Sequence, residues 1–193
     1  HFLFLWGTEL KNRNMLPNQI LISTVMSNLG FENAWEAKGG ELLRTPVGDE
    51  HVHKAMIETG AALGGEQSGH ILSTNNSLSG DGLLTALQLS TMSKNKSLSL
   101  ENWLNESFEP YPQKLVNIHV PNKSNRKDWF SCEPFQEAVM DAKASMGKDG
   151  RVLVRASGTE PLLRVMVEAS DQEAVSSWTN QLAQLAQRHL NAA

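Results

Sequence analysis

Residues 19–72 read QILISTVMSNLGFENAWEAKGGELLRTPVGDEHVHKAMIETGAALGGEQSGHIL, and the rhythm of this stretch decides the fold. Gln19-Ile-Leu-Ile-Ser-Thr24 is a short apolar run with β-branched content, the pattern of a buried strand. A helical pattern follows, with Leu29, Phe31, Ala34 and Trp35 on it, Ser27 placed to cap its start and Gly39-Gly40 to end it. Glu41-Leu-Leu-Arg-Thr45 is a second strand, closed by Pro46. Gly48-Asp49 opens another helix, with Val52, Ala55, Met56 and Thr59 on one side and Gly60 at its end. Ala61-Ala-Leu63 then leads through a Gly-rich loop toward Ile71-Leu72. A βαβαβ order of this kind predicts right-handed crossovers and a largely parallel sheet covered by helices.

Outward from this core, Phe2 to about Arg13 predicts a helix closed by Pro17. A further helix is predicted from Asp81 to about Met92, with Leu83, Leu84, Ala86 and Leu87 on its buried side and Gly80-Asp81-Gly82 as its cap. Ser93 to Ser99 reads as a polar linker, and Leu100 to Glu106 as a short helix. Pro110 and Pro112 bracket a composition break, which puts two domains at residues 1–108 and 109–193. The second has another rhythm. Lys114 to Val120 is a strand, Asn122 to Asp128 a polar loop, and Glu133 to Ser145 a helix carrying Phe135, Ala138, Val139 and Ala142. Strands follow at Arg151 to Arg155 and Leu162 to Glu168, with Val152 and Val154 facing away from Leu153 and Arg155. Ser170-x-x-Glu173 reads as a capping box for a last helix striped by Val175, Trp178, Leu182 and Leu185. The order β-α-β-β-α predicts a smaller α+β sandwich with helices on one face of an antiparallel sheet.

Composition removes several classes of function. The chain has 193 residues, of which 40% are hydrophobic and 20% charged, enough apolar material for a core. Lys+Arg number 17 and Asp+Glu 21, a formal net charge of −4, and no basic cluster exceeds two residues. A nucleic-acid platform and a basic membrane-surface helix are therefore not expected. One cysteine, Cys132, excludes an internal disulfide framework and a multi-Cys zinc site, and it reads as a structural thiol near a helix start. No apolar run approaches the roughly 18 residues of a membrane span. His1-Phe-Leu-Phe-Leu-Trp6 fails as a secretory signal and reads as a buried helix whose start has been cut off, so a fragment of a cytoplasmic protein is expected. His51 and His53 stand two apart on a helix and do not face each other, His119 and His189 have no partner pattern, and no metal site is expected in the chain. Asn75-Asn-Ser77, Asn105-Glu-Ser107 and Asn122-Lys-Ser124 match a glycosylation pattern that has no meaning without secretion.

Two loops carry the chemistry. In Gly64-Gly-Glu66-Gln-Ser68-Gly-His70, glycines allow a sharp bend and close approach to a ligand. The carboxylate of Glu66, the amide of Gln67 and the hydroxyl of Ser68 suit sugar hydroxyls, because a carboxylate accepts from two vicinal OH groups. The His70 imidazole can move a proton near neutral pH. The same residues also suit a plain polar Gly-rich turn; the place at the carboxyl end of a sheet strand favours a ligand site. In Arg155-Ala-Ser157-Gly158-Thr159-Glu-Pro161, with Arg164 beyond, a Ser-Gly-Thr turn can aim successive N–H groups at an anion, and Arg155 supplies a fork for phosphate. It lacks the GxxxxGK[ST] form of a nucleotide P-loop.

The two motifs GGEQSGH and RASGTEPLLR, in this order and about 85 residues apart, resemble the α-D-phosphohexomutase family. Ser23-Thr-Val-Met-Ser-Asn-Leu-Gly30, Arg44-Thr-Pro-Val-Gly-Asp49, Gly80-Asp-Gly-Leu-Leu-Thr-Ala-Leu87 and Gln67 resemble its phosphoglucosamine mutase branch. The resemblance implies that Glu66, Ser68, His70 and, by its place in the same cleft, Asp49 bind the sugar. It implies that Arg155, Ser157, Gly158, Thr159 and Arg164 grip a phosphate, and that His70 is a candidate acid–base group. It implies domains three and four of an isomerase that moves a phosphoryl group within a hexosamine phosphate, by way of a phosphoserine and a bisphosphate intermediate. The phosphorylatable serine motif and the magnesium loop of the family do not occur in this sequence, so Mg2+ is expected for the whole enzyme through residues of the missing N-terminal domains, and none on this chain. The partner implied is a small sugar phosphate, in carbohydrate and cell-wall precursor metabolism. A phosphoglucomutase or phosphomannomutase of the same family, and a free-standing sugar-phosphate binding module, are the alternatives.

Overall fold

The computed structural model describes residues 1–75, 77 and 79–191. The chain forms two compact units, His1–Pro110 and Tyr111–Ala193. Asn76, inside the first glycosylation match, and Ala192 and Ala193, at the end of the second predicted domain, lie outside the described residues.

The first unit is built on a four-stranded sheet of order β2-β1-β3-β4, from β1 (Ile20–Thr24), β2 (Glu41–Thr45), β3 (Leu63–Gly65) and β4 (Ile71–Ser73). β1 runs parallel to β2 and to β3, and β3 pairs antiparallel with β4. Thus Gly64-Gly65 do not lead into a third strand; they are its end. The third strand comes before the loop, and residues 66–70 turn the chain back as a hairpin. Glycines have low strand propensity, and the pairing of Ile22 with Gly64 and Ser23 with Gly65 overrides it. α1 (Phe2–Asn12) and α2 (Leu29–Ala37) pack with Leu21, Leu42 and Leu63 in one core. α3 (Asp49–Thr59) sends Val52, Ala55 and Met56 into a second cluster with Ile22 and Leu72. Successive residues Leu21 and Ile22 thus enter different clusters, as the alternation of a two-sided buried strand requires.

α4 (Gly82–Lys96) starts at the predicted cap, with Asp81 accepting from the Leu84 amide at 3.0 Å. It is longer than expected, because the residues after Met92 contain neither Pro nor Gly, so most of the predicted polar linker is helical. Its buried residues are Thr85, Leu89, Met92 and Ser93, whereas Leu83 and Leu87 are 72% and 58% exposed. α5 (Leu100–Leu104) then buries Trp103. The capping residue of α2 is Asn28, which accepts from Gly30 at 2.9 Å, and not Ser27, whose hydroxyl bonds Ser23.

The second unit is a three-stranded antiparallel sheet of order β5-β7-β6, from β5 (Gln113–His119), β6 (Gly150–Ala156) and β7 (Leu162–Ala169). α7 (Glu133–Met146) and α8 (Gln172–Leu190) cover one face. Phe135, Ala138, Val139 and Ala142 from α7 and Val175, Leu182, Ala186 and Leu190 from α8 pack on Leu163, Val165 and Val167. Trp178 and Leu185 flank this α8 stripe, partly buried, while Thr179 sits inside it. Residues 123–127 form a short helix, α6, because Asn122 accepts from the Ser124 and Asn125 amides at 2.9 and 3.3 Å; the predicted polar loop overlooked that cap. The cap of α8 is Asp171, accepting from Glu173 and Ala174 at 3.0 and 3.3 Å, one residue beyond the expected Ser170.

Candidate functional site

The sugar-side half-site stands at the carboxyl edge of the first sheet. β1 ends at Thr24, β2 at Thr45 and β3 at Gly65. Because β2 and β3 flank β1 on opposite sides, the connections leaving β1 and β3 diverge and open a crevice, where ligands bind in open α/β sheets. A cavity of about 390 Å³ occupies this edge, lined by Thr24, Met26, Val47, Glu66, Gln67 and Ser68. Its three polar residues from the hairpin are the carboxylate, amide and hydroxyl singled out from the sequence.

Buried polar contacts hold the edge in place. Ser23 Oγ donates to the Gly65 carbonyl at 2.7 Å, tying β1 to the start of the hairpin. Arg44 donates through Nε and Nη2 to Glu32 Oε2 at 3.1 and 2.8 Å, and through Nη1 to the Thr24 and Ser27 carbonyls at 3.3 and 2.7 Å. It thereby pins the loop after β1. Glu66 Oε1 accepts from the Gly48 amide at 3.0 Å, which joins the hairpin to the loop before α3 and leaves Oε2 available to a ligand. The hairpin closes through Glu66 N to His70 O at 2.9 Å. A Cβ on Gly65 would stand 2.8 Å from that His70 carbonyl, so only glycine allows this close approach.

His70 Nε2 lies 3.4 Å from Asp49 Oδ2, and Asp49 in turn accepts from the Glu50 amide at 2.9 Å at the start of α3. The imidazole lies against Gly80, where an added Cβ would meet Nε2 at 2.0 Å. The structure therefore brings Glu66, Ser68, His70 and Asp49 to one edge, with Glu66 and Ser68 on the cavity wall and His70 paired to Asp49 beside it. Gly80 as the floor under His70 escaped sequence reasoning; it needs a contact ten residues away in the chain.

The anion-side half-site lies at the turn between β6 and β7. Arg155 and Arg164 are direct cross-strand partners, on the sheet face that alternates away from Val154 and Val165. Between them Ser157 Oγ accepts from the Glu160 amide at 3.3 Å, and the Ser157 amide donates to Leu162 O at 2.8 Å. A Cβ on Gly158 would meet nothing within 4 Å, so the tip of the loop is open. Arg164 Nη2 donates to Glu160 Oε2 at 3.0 Å, while Arg164 Nε is buried without an acceptor. Partial burial, and then the neighbouring Arg164 charge, hold the Arg155 guanidinium below its usual value. Two like charges side by side in a partly desolvated place favour an anion between them. Asn117 on β5 is in register with Arg164 and extends this row to Asn117, Arg164 and Arg155. The sequence held no signal for Asn117, because its place depends on β7 lying between β5 and β6.

Elsewhere, a hollow of about 600 Å³ is lined by Ser124, Asn125, Asp128, Ser131, Cys132, His189 and Leu190. Among the described residues no group of three or more His, Cys, Asp or Glu side chains is placed to hold a metal ion. No helix among them is long and apolar enough to cross a membrane.

Comparison with known proteins gives concordant results. Residues 1–111 match the family model described as phosphoglucomutase/phosphomannomutase, alpha/beta/alpha domain III, and residues 115–185 match the one described as phosphoglucomutase/phosphomannomutase, C-terminal domain. The chain is 63% identical over 191 residues to a phosphoglucosamine mutase of Prochlorococcus marinus (strain MIT 9313), covering 99% of this chain and 41% of that protein. It is 62% identical over 193 residues to that of Parasynechococcus marenigrum (strain WH8102), covering 100% of this chain and 42% of the relative. The chain thus spans about two fifths of the length of these relatives. Among solved structures, an N-acetylglucosamine-phosphate mutase in a substrate complex superposes with a TM-score of 0.77 at 21% identity, covering 96% of this chain and 43% of that one. The Aspergillus fumigatus N-acetylphosphoglucosamine mutase in complex with GlcNAc-6P and magnesium gives 0.76 at 19%, covering 97% and 42%; at such identities the likeness is one of fold. With its two domains matched in order, the chain belongs to the phosphoglucomutase/phosphomannomutase family of phosphohexomutases, on its phosphoglucosamine mutase branch.

Proposed function

We propose that this chain is the carboxyl-terminal part of a cytoplasmic phosphoglucosamine mutase that interconverts glucosamine 6-phosphate and glucosamine 1-phosphate. In this reading residues 1–108 bind the sugar and residues 109–193 bind the phosphate. The phosphoserine that exchanges the phosphoryl group, and the ligands of Mg2+, belong to the remaining part of the polypeptide. The observation that carries the reading is the pair of half-sites: a carboxylate, amide and hydroxyl on the wall of a cavity at the sheet edge, and two cross-strand arginines flanking an open Ser-Gly-Thr turn.

Each half-site has a defined task. Glu66, fixed through Oε1 by the Gly48 amide, presents Oε2 to sugar hydroxyls, and Ser68 adds a donor and acceptor. His70, with Nε2 3.4 Å from Asp49 Oδ2, is the group we assign to give or accept the proton of a reacting hydroxyl. Arg155 and Arg164, with the Ser157 and Thr159 hydroxyls, recognise the phosphate by charge and donor geometry. Such a grip reads the anion and not the ring position that carries it. It can therefore hold either ester while the sugar presents the other position for reaction, as a mutase requires.

The test is kinetic, on the intact enzyme. Arg155→Ala is expected to raise KM for glucosamine 6-phosphate at least tenfold, and Ser157→Ala to raise it several-fold, from the loss of charge-assisted hydrogen bonds. Unchanged kinetics for both variants would overturn the phosphate grip. Wild-type kcat/KM higher for glucose or mannose phosphates than for glucosamine phosphate would move the enzyme to the phosphoglucomutase or phosphomannomutase group. Tight hexose-phosphate binding by the isolated chain, with no turnover in the intact protein, would make it a binding module.

A further inference from the structure

The anion-side loop carries a negative charge of its own. Of the two guanidinium groups that flank the Ser-Gly-Thr turn, Arg164 is already paired, with Glu160 Oε2 at 3.0 Å, whereas Arg155 has no carboxylate partner among the described residues. Glu160 lies in the turn itself, its amide bonded to Ser157 Oγ at 3.3 Å. Its side chain is 52% exposed, against 31% for Arg164.

We propose that Glu160 is a built-in competitor for the phosphate: it occupies Arg164 while the loop is empty and yields it when a phosphate enters. The proposal rests on the reading of this loop as a phosphate grip. Three features support the exchange. Arg164 Nε is buried with no acceptor, so the pairing with Glu160 leaves donor capacity unused that a phosphate, with more acceptor oxygens than a carboxylate, can take up. The tip of the turn at Gly158 is open, so an anion can approach without displacing backbone. Glu160 is exposed enough to swing into water with little desolvation change, and its pair with Arg164 is of the exposed kind whose net contribution is small. While the loop is empty, the carboxylate on Arg164 offsets part of the repulsion between the cross-strand partners Arg155 and Arg164. When the loop is filled, the same carboxylate is a like charge beside the phosphate, which weakens the grip and speeds release. Glu160 is a positioning residue in this account; it touches Arg164 and not the reacting atoms.

The experiment uses the full 193-residue chain and inorganic phosphate as the probe, followed by the side-chain Nε–H resonances of Arg155 and Arg164. In the wild type, phosphate should shift both resonances. Glu160→Gln, which keeps the shape and removes the charge, should tighten phosphate binding about three- to tenfold, the scale of one charge removed at short range in a largely solvated place. Glu160→Ala should act in the same direction, and the gain from Glu160→Gln should fall below twofold when Arg164 is replaced by Ala. Unchanged or weaker phosphate binding in both Glu160 variants, with both resonances still responding to phosphate, overturns the competitor while leaving the phosphate grip intact. Absence of any shift at Arg155 and Arg164 in the wild type overturns the grip, and the competitor with it.

Discussion

Replacing Gly80 by Ala moves His70 without deleting it. The new Cβ would lie 2.0 Å from Nε2 and 2.1 Å from Cδ2 of the imidazole, where ordinary contact begins at 3.4 Å. The ring must therefore retreat by about 1.4 Å, the difference between 2.0 and 3.4 Å. The clash is with the tip of a side chain and not with backbone, so the cost in stability should stay below about 1 kcal/mol. The functional cost is larger. The Asp49–His70 pair, already at 3.4 Å, is broken, and a displacement of this size exceeds the roughly 0.5 Å within which a reacting group must be held. A misplacement of about 1 Å can cost on the order of 100-fold in rate, so kcat/KM for glucosamine 6-phosphate in the intact enzyme should fall by about 10- to 100-fold, or about 1.4–2.7 kcal/mol. The assay is coupled turnover of wild type, Gly80→Ala, His70→Ala and the double variant, with thermal unfolding as the control. The double variant should be no worse than His70→Ala alone, since both changes act through one imidazole. Gly80→Ala activity within twofold of wild type, while His70→Ala loses tenfold or more, would show that Gly80 does not position His70. A silent His70→Ala would remove His70 from the site.

Arg44→Met should destabilise the first unit by about 2–3 kcal/mol, because Glu32 is left without its partner and the Thr24 and Ser27 carbonyls lose a donor. A lower urea midpoint at unchanged m would show it, and Glu32→Leu in the same chain should recover part of the loss. Glu9 supplies an acid-sensitive contact. Burial raises its pKa, but Arg13 and Lys96 outweigh burial and hold the carboxyl below its usual 4.5. Its folded pKa lies below the unfolded one, so this contribution is present above about 4.5 and is lost as pH falls through the lower, folded value. Glu9→Gln should therefore be less stable than wild type at pH 7, and the gap should close as the pH is lowered beneath 4.5; a constant gap over that range would contradict the assignment.

Strands and helices were readable where hydrophobic period and length agreed. Ile20–Thr24, Glu41–Thr45 and the Phe135, Ala138, Val139, Ala142 stripe follow from local pattern alone. Reading failed where a neighbour in space decides. On α4 the leucines at 83 and 87 invite an inward assignment, but the buried face carries Leu89 and Met92, in the cluster with Trp6 and Trp103, so Leu83 and Leu87 turn outward. Adjacent polar residues compete to cap a helix start, and Asn28 and Asp171 outdo Ser27 and Ser170 because their side-chain oxygens reach the first amides. The third strand was misplaced because two glycines are a loop signal unless a partner strand satisfies their backbone. The chemical loops were legible as residue types, since carboxylate, amide, hydroxyl, imidazole and guanidinium declare themselves. Their settings were not: the Gly48–Glu66 bond, the Gly80 floor and the Asn117–Arg164–Arg155 row all depend on sheet order and register.

The most direct measurement is an experimental structure of the intact enzyme with glucosamine 6-phosphate bound. The phosphate should lie within hydrogen-bond distance of Arg155, Ser157 and Arg164, with sugar hydroxyls on Glu66 and Ser68. A ligand whose phosphate lies away from the turn at residues 155–161, or whose ring touches neither Glu66 nor Ser68, would contradict it.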